Sequence, residues 1–231
     1  MKLKHLPYKI DHKGNRNHYY ETYWKTVGLD LLKKHFPITV GETLLDFGCG
    51  RGETLSLYGA EGYDVTGTDA DEECVRLSSA HGRAKLLDTS NPLGQFGEKS
   101  FDYVVCYHVL EHVPCPLETI NVLSKIARKC VVIAVPNLHT LTRMFSRRTS
   151  ASTVNEGHLQ SWDHGHLQNL AERHGNLELI EWGFDTTILP IINRFGPALF
   201  GQKKMIWLET KVFTKIFPYH GLSVLGIFKP L

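Results

Sequence analysis

The sequence predicts an α/β fold, with a mostly parallel sheet covered by helices on both faces. Strand-like and helix-like hydrophobic patterns alternate from about Thr43 to Pro136, as they do in chains of βα units. The run Leu44-Leu45-Asp46-Phe47 leads directly into Gly48-Cys49-Gly50-Arg51-Gly52. Glycines there let a strand-to-helix turn take positive φ and let a ligand approach the backbone. The next strand-like run, Tyr63 to Thr68, ends on Asp69, where a carboxylate can accept ribose hydroxyls.

The elements follow in order. Tyr20, Tyr23, Trp24, Val27 and Leu31 recur at helical spacing and stop before Pro37, which predicts an amphipathic helix of about 17 residues. Such a helix serves as packing against the sheet, as a lid placing Tyr19, Tyr20 or Trp24 on a ligand, or as both. Strands are expected at Thr43 to Phe47, Tyr63 to Thr68, Ala84 to Leu87, Phe101 to Cys106 and Cys130 to Val135. Asp71 to His81 reads as a helix closed by Gly82. Another helix starts at Pro116 and aligns Leu117, Ile120, Leu123 and Ala127. Leu138 to Gly157, rich in Ser, Thr and Arg, reads as an insertion of the kind that contacts substrate. Asp163 should cap a helix carrying Leu167, Leu170, Ala171 and His174 on one face and ending at Gly175. Asn176 to Thr187 and Leu222 to Phe228 complete the strands.

The 231 residues suit a single domain: an N-terminal helical lid over 1–40, a core over 41–187, and a substrate-side insertion with the last strand over 188–231. A net charge of +2 gives no broad basic footprint for nucleic acid; Arg143, Arg147 and Arg148 form only a local cluster. The N-terminus lacks the apolar run of a secretory signal, so a cytoplasmic protein is expected. The five cysteines, without a C-x-x-C pair, are expected to be reduced.

The glycine spacing separates two cofactor classes. A dinucleotide site needs G-x-G-x-x-G facing a pyrophosphate, but the third position here is Glu53, which would repel phosphate. The pattern Asp46-x-Gly48-x-Gly50-x-Gly52 resembles motif I of the class I S-adenosylmethionine-dependent methyltransferases. Leu110-Glu111-His112-Val113-Pro114, after the fourth strand, resembles the L-E-H-V-P turn of the branch related to ubiquinone-biosynthesis O-methyltransferases, and Glu156 to Asp163 resembles that branch's approach to the helix after the fifth strand. The resemblance covers about residues 40 to 187. It implies a Rossmann-like sheet of seven strands, the last antiparallel and in a hairpin beside the sixth.

By position, the resemblance assigns Asp46, Gly48 and Gly50, with the backbone near Cys49, to the amino-acid part of S-adenosylmethionine. It assigns Asp69 to the ribose, Ala70 to the adenine edge and Asp88 to the adenine amino group; Asp88 also reads as a turn cap before Asn91-Pro92. His108 would face the methionine moiety through its backbone. Some relatives use a glutamate at the position of His108, together with the following E-H, to hold a divalent cation. With His108 in that place no metal is expected, although His108, Glu111 and His112 are all possible ligands.

A methyl group on a sulfonium is already activated, so the protein must mainly align the reactants and exclude water. A base is needed when the acceptor is a hydroxyl, and histidine suits that task. His158 is the first candidate, His112 the second and His108 the third, with a structural histidine as the alternative for His158. His164 and His166 are explained by the helix start at Asp163. Gln202 to Phe217 aligns apolar residues opposite Lys203, Lys204, Lys211 and Lys215, as a helix does when it covers the sheet or makes peripheral membrane contact. The expected acceptor is a small molecule, a hydroxyl on a sugar, quinone or lipid-linked intermediate. An RNA or protein methyltransferase and a non-catalytic partner subunit are the competing classes.

Overall fold

The computed structural model describes residues 16–144 and 157–231, with side chains from Tyr23 onward. The side chains of Tyr19 and Tyr20, together with Arg147, Arg148 and most of the expected insertion, lie outside the described residues. Seven strands form one sheet: β1 (Thr43–Phe47), β2 (Asp64–Asp69), β3 (Arg83–Leu86), β4 (Phe101–Tyr107), β5 (Ala127–Pro136), β6 (Leu177–Gly183) and β7 (Ser223–Pro230). Their order is β3-β2-β1-β4-β5-β7-β6. β7 is antiparallel to both β5 and β6, and the other pairings are parallel. The order reverses between β1 and β4, so the crevice for a ligand opens at their carboxyl ends.

The central strands are nearly continuous apolar runs because both faces are covered. Val104, Val105, Val131, Val132 and Ile133 are completely buried. On one face Leu45, Val104 and Ile133 pack with Ile120 and Leu123 of α5 (Pro116–Ile126) and Leu167 of α7 (His164–Arg173). On the other, Leu44, Tyr103 and Val105 pack with Leu29 and Leu32 of α1 (Arg16–His35) and Leu55 and Tyr58 of α2 (Glu53–Gly59).

Boundaries differ from the sequence reading where packing decides. The helix after Asp71, α3 (Glu72–Ser78), stops short of His81. Gly82 is not its left-handed cap: a Cβ there would lie 3.3 Å from Leu55, so the glycine serves close packing on α2. Ala127 opens β5 instead of extending α5. A short helix, α4 (Pro92–Phe96), follows β3. Asp163 does cap α7, accepting the His166 N–H at 2.8 Å. His174, however, is exposed beyond the last turn, and Asn176 rather than Gly175 takes positive φ. A Cβ on Gly175 would lie 2.4 Å from Ile120 Cγ2, which accounts for the glycine.

Beyond the short α6 (Leu141–Met144), the remaining helices form a cap between β6 and β7. They are α8 (Pro190–Phe200), α9 (Gln202–Trp207), a π-helical turn (Leu208–Val212), α10 (Phe213–Ile216) and a 3₁₀ turn (Pro218–His220). Because β6 and β5 are both antiparallel to β7, β6 ends at the same edge as β1 and β4, and the cap emerges there. None of the described helices is long and apolar enough to cross a membrane. All five cysteines are free thiols, as expected.

Candidate active site

The glycine loop is fixed by backbone bonds to the neighbouring strand. The N–H groups of Gly48 and Cys49 both donate to the Thr68 carbonyl, at 2.8 and 2.9 Å. Gly48 has φ of 84°, and a Cβ on it would lie 2.2 Å from Val109 Cγ2, so the glycine lets the loop touch the turn after β4. Gly50 faces open space. Its N–H donates to Asp69 Oδ2 at 2.9 Å, while Asp69 Oδ1 accepts the Asp71 N–H at 3.0 Å. A carboxylate has about four acceptor positions, so Asp69 keeps capacity for a diol. The Cys49 side chain turns inward, 3.5 Å from Ser78 Oγ, and burial pushes its thiol up to about 12. Only its backbone is left to serve a ligand.

Asp46 lies beneath this loop, 1% exposed, with Oδ2 unpartnered. Burial pushes its carboxyl up to about 7, against the pull of Lys25. Lys25 is itself engaged, 3.0 Å from Glu53 Oε2, which ties α1 to the start of α2. A buried carboxylate oxygen without a donor is costly in isolation and suits a ligand's ammonium group. Ala70 is exposed beside Asp69. Asp88 is exposed and works as a turn cap, its Oδ1 accepting the N–H groups of Ser90 and Asn91 at 3.0 and 3.3 Å.

The second half of the site is built on the turn after β4. His108 adopts φ of 56°, unusual for a non-glycine residue, and its N–H donates to the Ala134 carbonyl at 2.8 Å. Strain of this kind is concentrated at functional sites. The ring is held on three sides: Nε2 is 3.2 Å from Ser223 Oγ, Nδ1 is 3.3 Å from Glu111 Oε1, and the Trp24 ring lies 4.3 Å away between centroids. Glu111 is 1% exposed, and neither of its carboxylate oxygens has a hydrogen-bond partner.

Residues 157–160 close over this turn. Leu159 N–H donates to the Glu111 carbonyl at 2.7 Å, and His112 Nδ1 donates to the Gly157 carbonyl at 2.9 Å. His158 is thereby set edge-on to His112, 4.8 Å between centroids. One ligand atom from each of Glu111, His112 and His158 lies within 4.8 Å of the others. Burial, joined by His112, His108 and Arg143 and opposed by Glu111, holds His158 below the ordinary imidazole value. A neutral imidazole beside a buried carboxylate is equipped to accept a proton.

His164 and His166 take no part. His164 packs among Trp182, Phe184 and Tyr219, where burial lowers its pKa to about 4, and His166 binds Asp163 at 2.7 Å. Sequence reading missed the supports: the Lys25–Glu53 pair, Ser223 under His108, and Asp185. Asp185 is fully buried, with Oδ1 accepting the Ser223 N–H at 3.2 Å and Oδ2 unpartnered. Burial raises its carboxyl above the usual range. These residues come from distant parts of the chain, and no local motif marks them.

Comparison with known proteins bears on the family and the fold. The ubiquinone biosynthesis O-methyltransferase of Photobacterium profundum is 30% identical over 129 residues, covering 53% of this chain and 52% of that protein. That of Serratia proteamaculans is 29% identical over 116 residues, 48% of this chain and 45% of that protein. The match thus spans about half the length of these curated relatives. Among solved structures, a putative methyltransferase of Haloferax volcanii, in complex with the Trm112 methyltransferase activator, superposes with a TM-score of 0.63 at 17% identity, covering 95% of each chain. Magnesium protoporphyrin IX methyltransferase from Synechocystis PCC 6803, with bound SAH, gives 0.61 at 16% identity, covering 92% of this chain and 84% of that one. These likenesses establish the Rossmann-like sheet with its antiparallel last strand. A family profile described as a methyltransferase domain matches residues 16–181, from α1 through most of β6, and the chain belongs to that family.

Proposed function

We propose that the protein transfers a methyl group from S-adenosylmethionine to a hydroxyl oxygen of a small-molecule acceptor. The observation that carries this reading is the buried Asp46 carboxylate, its Oδ2 unpartnered, under an open glycine loop at the same sheet edge as Glu111, His112 and His158. S-adenosylmethionine would supply a methyl group activated by its sulfonium. Asp46 accepts the donor's ammonium group, Gly48 and Gly50 admit its amino-acid chain, and Asp69 accepts the ribose hydroxyls. Ala70 borders the adenine. Asp88 keeps Oδ2 for the adenine amino group while Oδ1 holds the turn. His158 accepts the acceptor's hydroxyl proton, and Glu111 stabilises the imidazolium that results. Trp24 and His108 exclude water and fix the approach.

Kinship with ubiquinone-biosynthesis O-methyltransferases favours an aromatic or quinol-type hydroxyl among the acceptors. The modest net charge and the histidine cluster favour it over RNA or protein. Calorimetric titration with S-adenosylmethionine tests the core: saturable binding, strongly weakened by Asp69→Ala, is expected. No saturable binding by the unmodified protein would overturn the reading. Incubation with methyl-labelled donor and a panel of phenols, catechols, sugars and lipid-linked hydroxyls then names the acceptor.

The geometry also favours a second reading, in which Glu111, His112 and His158 hold a divalent cation that polarises the acceptor hydroxyl. Chelation decides between the two. Turnover lost with EDTA and restored by a divalent metal supports the cation, and turnover indifferent to EDTA supports the histidine base.

A further inference from the structure

The cap between β6 and β7 carries a surface that cofactor binding and proton transfer leave unexplained. Of the fourteen large hydrophobic side chains exposed among the described residues, eight fall within residues 191–219. Ile191, Phe195 and Leu199 recur every fourth residue along α8, which places them in one stripe, and they are 77%, 57% and 74% exposed. Phe200 and Trp207 continue the apolar surface at 47% and 55%. The buried side of the cap lies elsewhere, at Met205, Glu209, Thr210, Phe213 and Thr214. Where the sequence places the amphipathic surface on 202–217, the structure puts its most apolar stripe on α8.

The charges in this region have one sign. Arg194, Lys203, Lys204, Lys211 and Lys215 are all exposed, whereas the only acid between residues 188 and 218, Glu209, is fully buried. Two of the cations flank exposed aromatics. The Arg194 guanidinium lies 5.6 Å from the Phe195 ring centroid, and Lys204 Nζ lies 5.3 Å from that of Phe200. Long basic side chains beside apolar ones, with a tryptophan among them, match the boundary between lipid headgroups and acyl chains.

We propose that α8 and α9 seat the protein on an anionic bilayer surface, with the α8 stripe entering the headgroup boundary and the cap's lysines and arginine meeting lipid phosphates. Charge complementarity decides the occupant. A symmetric pairing of two copies through this face would set cations against cations. A protein partner's interface would carry fewer lysines than the rest of the surface, not a concentration of them. Because the cap emerges at the carboxyl edge of the sheet, the bilayer would lie on the side of the active site, where an apolar acceptor could leave the lipid and reach it.

Flotation with vesicles tests this directly. The full chain is mixed with vesicles of phosphatidylcholine alone and of phosphatidylcholine and phosphatidylglycerol in equal parts. Binding to the anionic vesicles is expected, at least tenfold stronger than to the neutral ones and weakened by added salt. Trp207 fluorescence should shift to the blue on binding. Phe195→Ser with Leu199→Ser, and separately Lys203→Glu with Lys204→Glu, should each lower binding at least tenfold. Both double variants should keep wild-type affinity for S-adenosylhomocysteine, a control that detects misfolding independently of lipid. Equal binding of wild type and both variants, or no binding to anionic vesicles, would overturn the proposal. So would concentration-dependent dimerisation in sedimentation velocity that the same substitutions abolish.

Discussion

The cofactor half of the site and the cap above it use the chain in opposite ways. In the cofactor half, each chemical group sits at or just beyond the end of a strand: Asp46 on β1, Asp69 on β2, His108 after β4. The interiors of the strands that position them are buried, with Leu44, Leu45, Thr68, Val104 and Val105 wholly out of solvent. Between β6 and β7 the chain makes a long excursion through residues 184–222, and the helices of the cap leave large apolar side chains in solvent. The first half is rigid because backbone bonds and a packed sheet hold it. The second has a packed inner face and an outer one that, among the described residues, stays in solvent.

The sharpest way to break this division is at His158, which closes over the turn after β4 beside Glu111 and His112. His158→Ala should lower turnover by about 10²–10⁴-fold, the usual size of a lost general base, with cofactor affinity unchanged. Single-turnover kinetics with labelled donor and calorimetry measure the two quantities separately. Equal losses in both would make His158 a structural member of the turn, and the histidine cluster would then belong to the fold rather than to the chemistry.

How much could be read in advance follows the same line. The Asp46 to Gly52 loop and Asp69 were legible because backbone geometry at a strand end demands particular residue types at fixed spacing. The strand positions were legible from continuous apolar runs. His112 and Glu111 were legible as a turn, but the closing of residues 157–160 onto that turn rests on contacts 45 residues apart, from His112 to Gly157. Ser223 and Asp185 support His108 from β7 and the end of β6, and only the sheet order brings them there. The helix end misjudged at Gly82, and the left-handed cap expected of Gly175, fail for a related reason. Each glycine is there to admit a neighbouring side chain, Leu55 or Ile120, which the local sequence does not reveal.

A smaller effect, in pH, sharpens the account of the cofactor half. Burial pushes the Asp46 carboxyl up to about 7 from an ordinary value of 3.8, with Lys25, Glu53 and Asp69 as its charged neighbours. The folded protein therefore holds this proton more tightly than the unfolded chain. The stability this group confers is complete below its unfolded value and is lost as pH rises through about 7. Binding of an ammonium group runs the other way, because it needs the ionised carboxylate. Affinity for S-adenosylhomocysteine should rise about tenfold between pH 6 and pH 8, and Asp46→Asn should flatten that rise. A wild-type profile as flat as that of Asp46→Asn would mean that the carboxylate does not meet the ligand's ammonium.

The smallest effect is expected where the apolar surface is largest. Met205, on the inner face of the cap, is fully buried, and Met205→Ala should cost about 2–5 kcal/mol of folding stability. Leu199, on the outer face, is 74% exposed, so Leu199→Ser removes almost no packing and should change stability by no more than about 0.5 kcal/mol in thermal unfolding. Exposed leucines occur singly on most proteins without consequence. A stripe of three large side chains on one helix, edged only by cations, is different: a near-zero cost for removing one of them shows that folding does not need it. If Leu199→Ser instead destabilised the protein as much as Met205→Ala does, the outer face would be part of the core, and the contrast between the two halves of the molecule would fail.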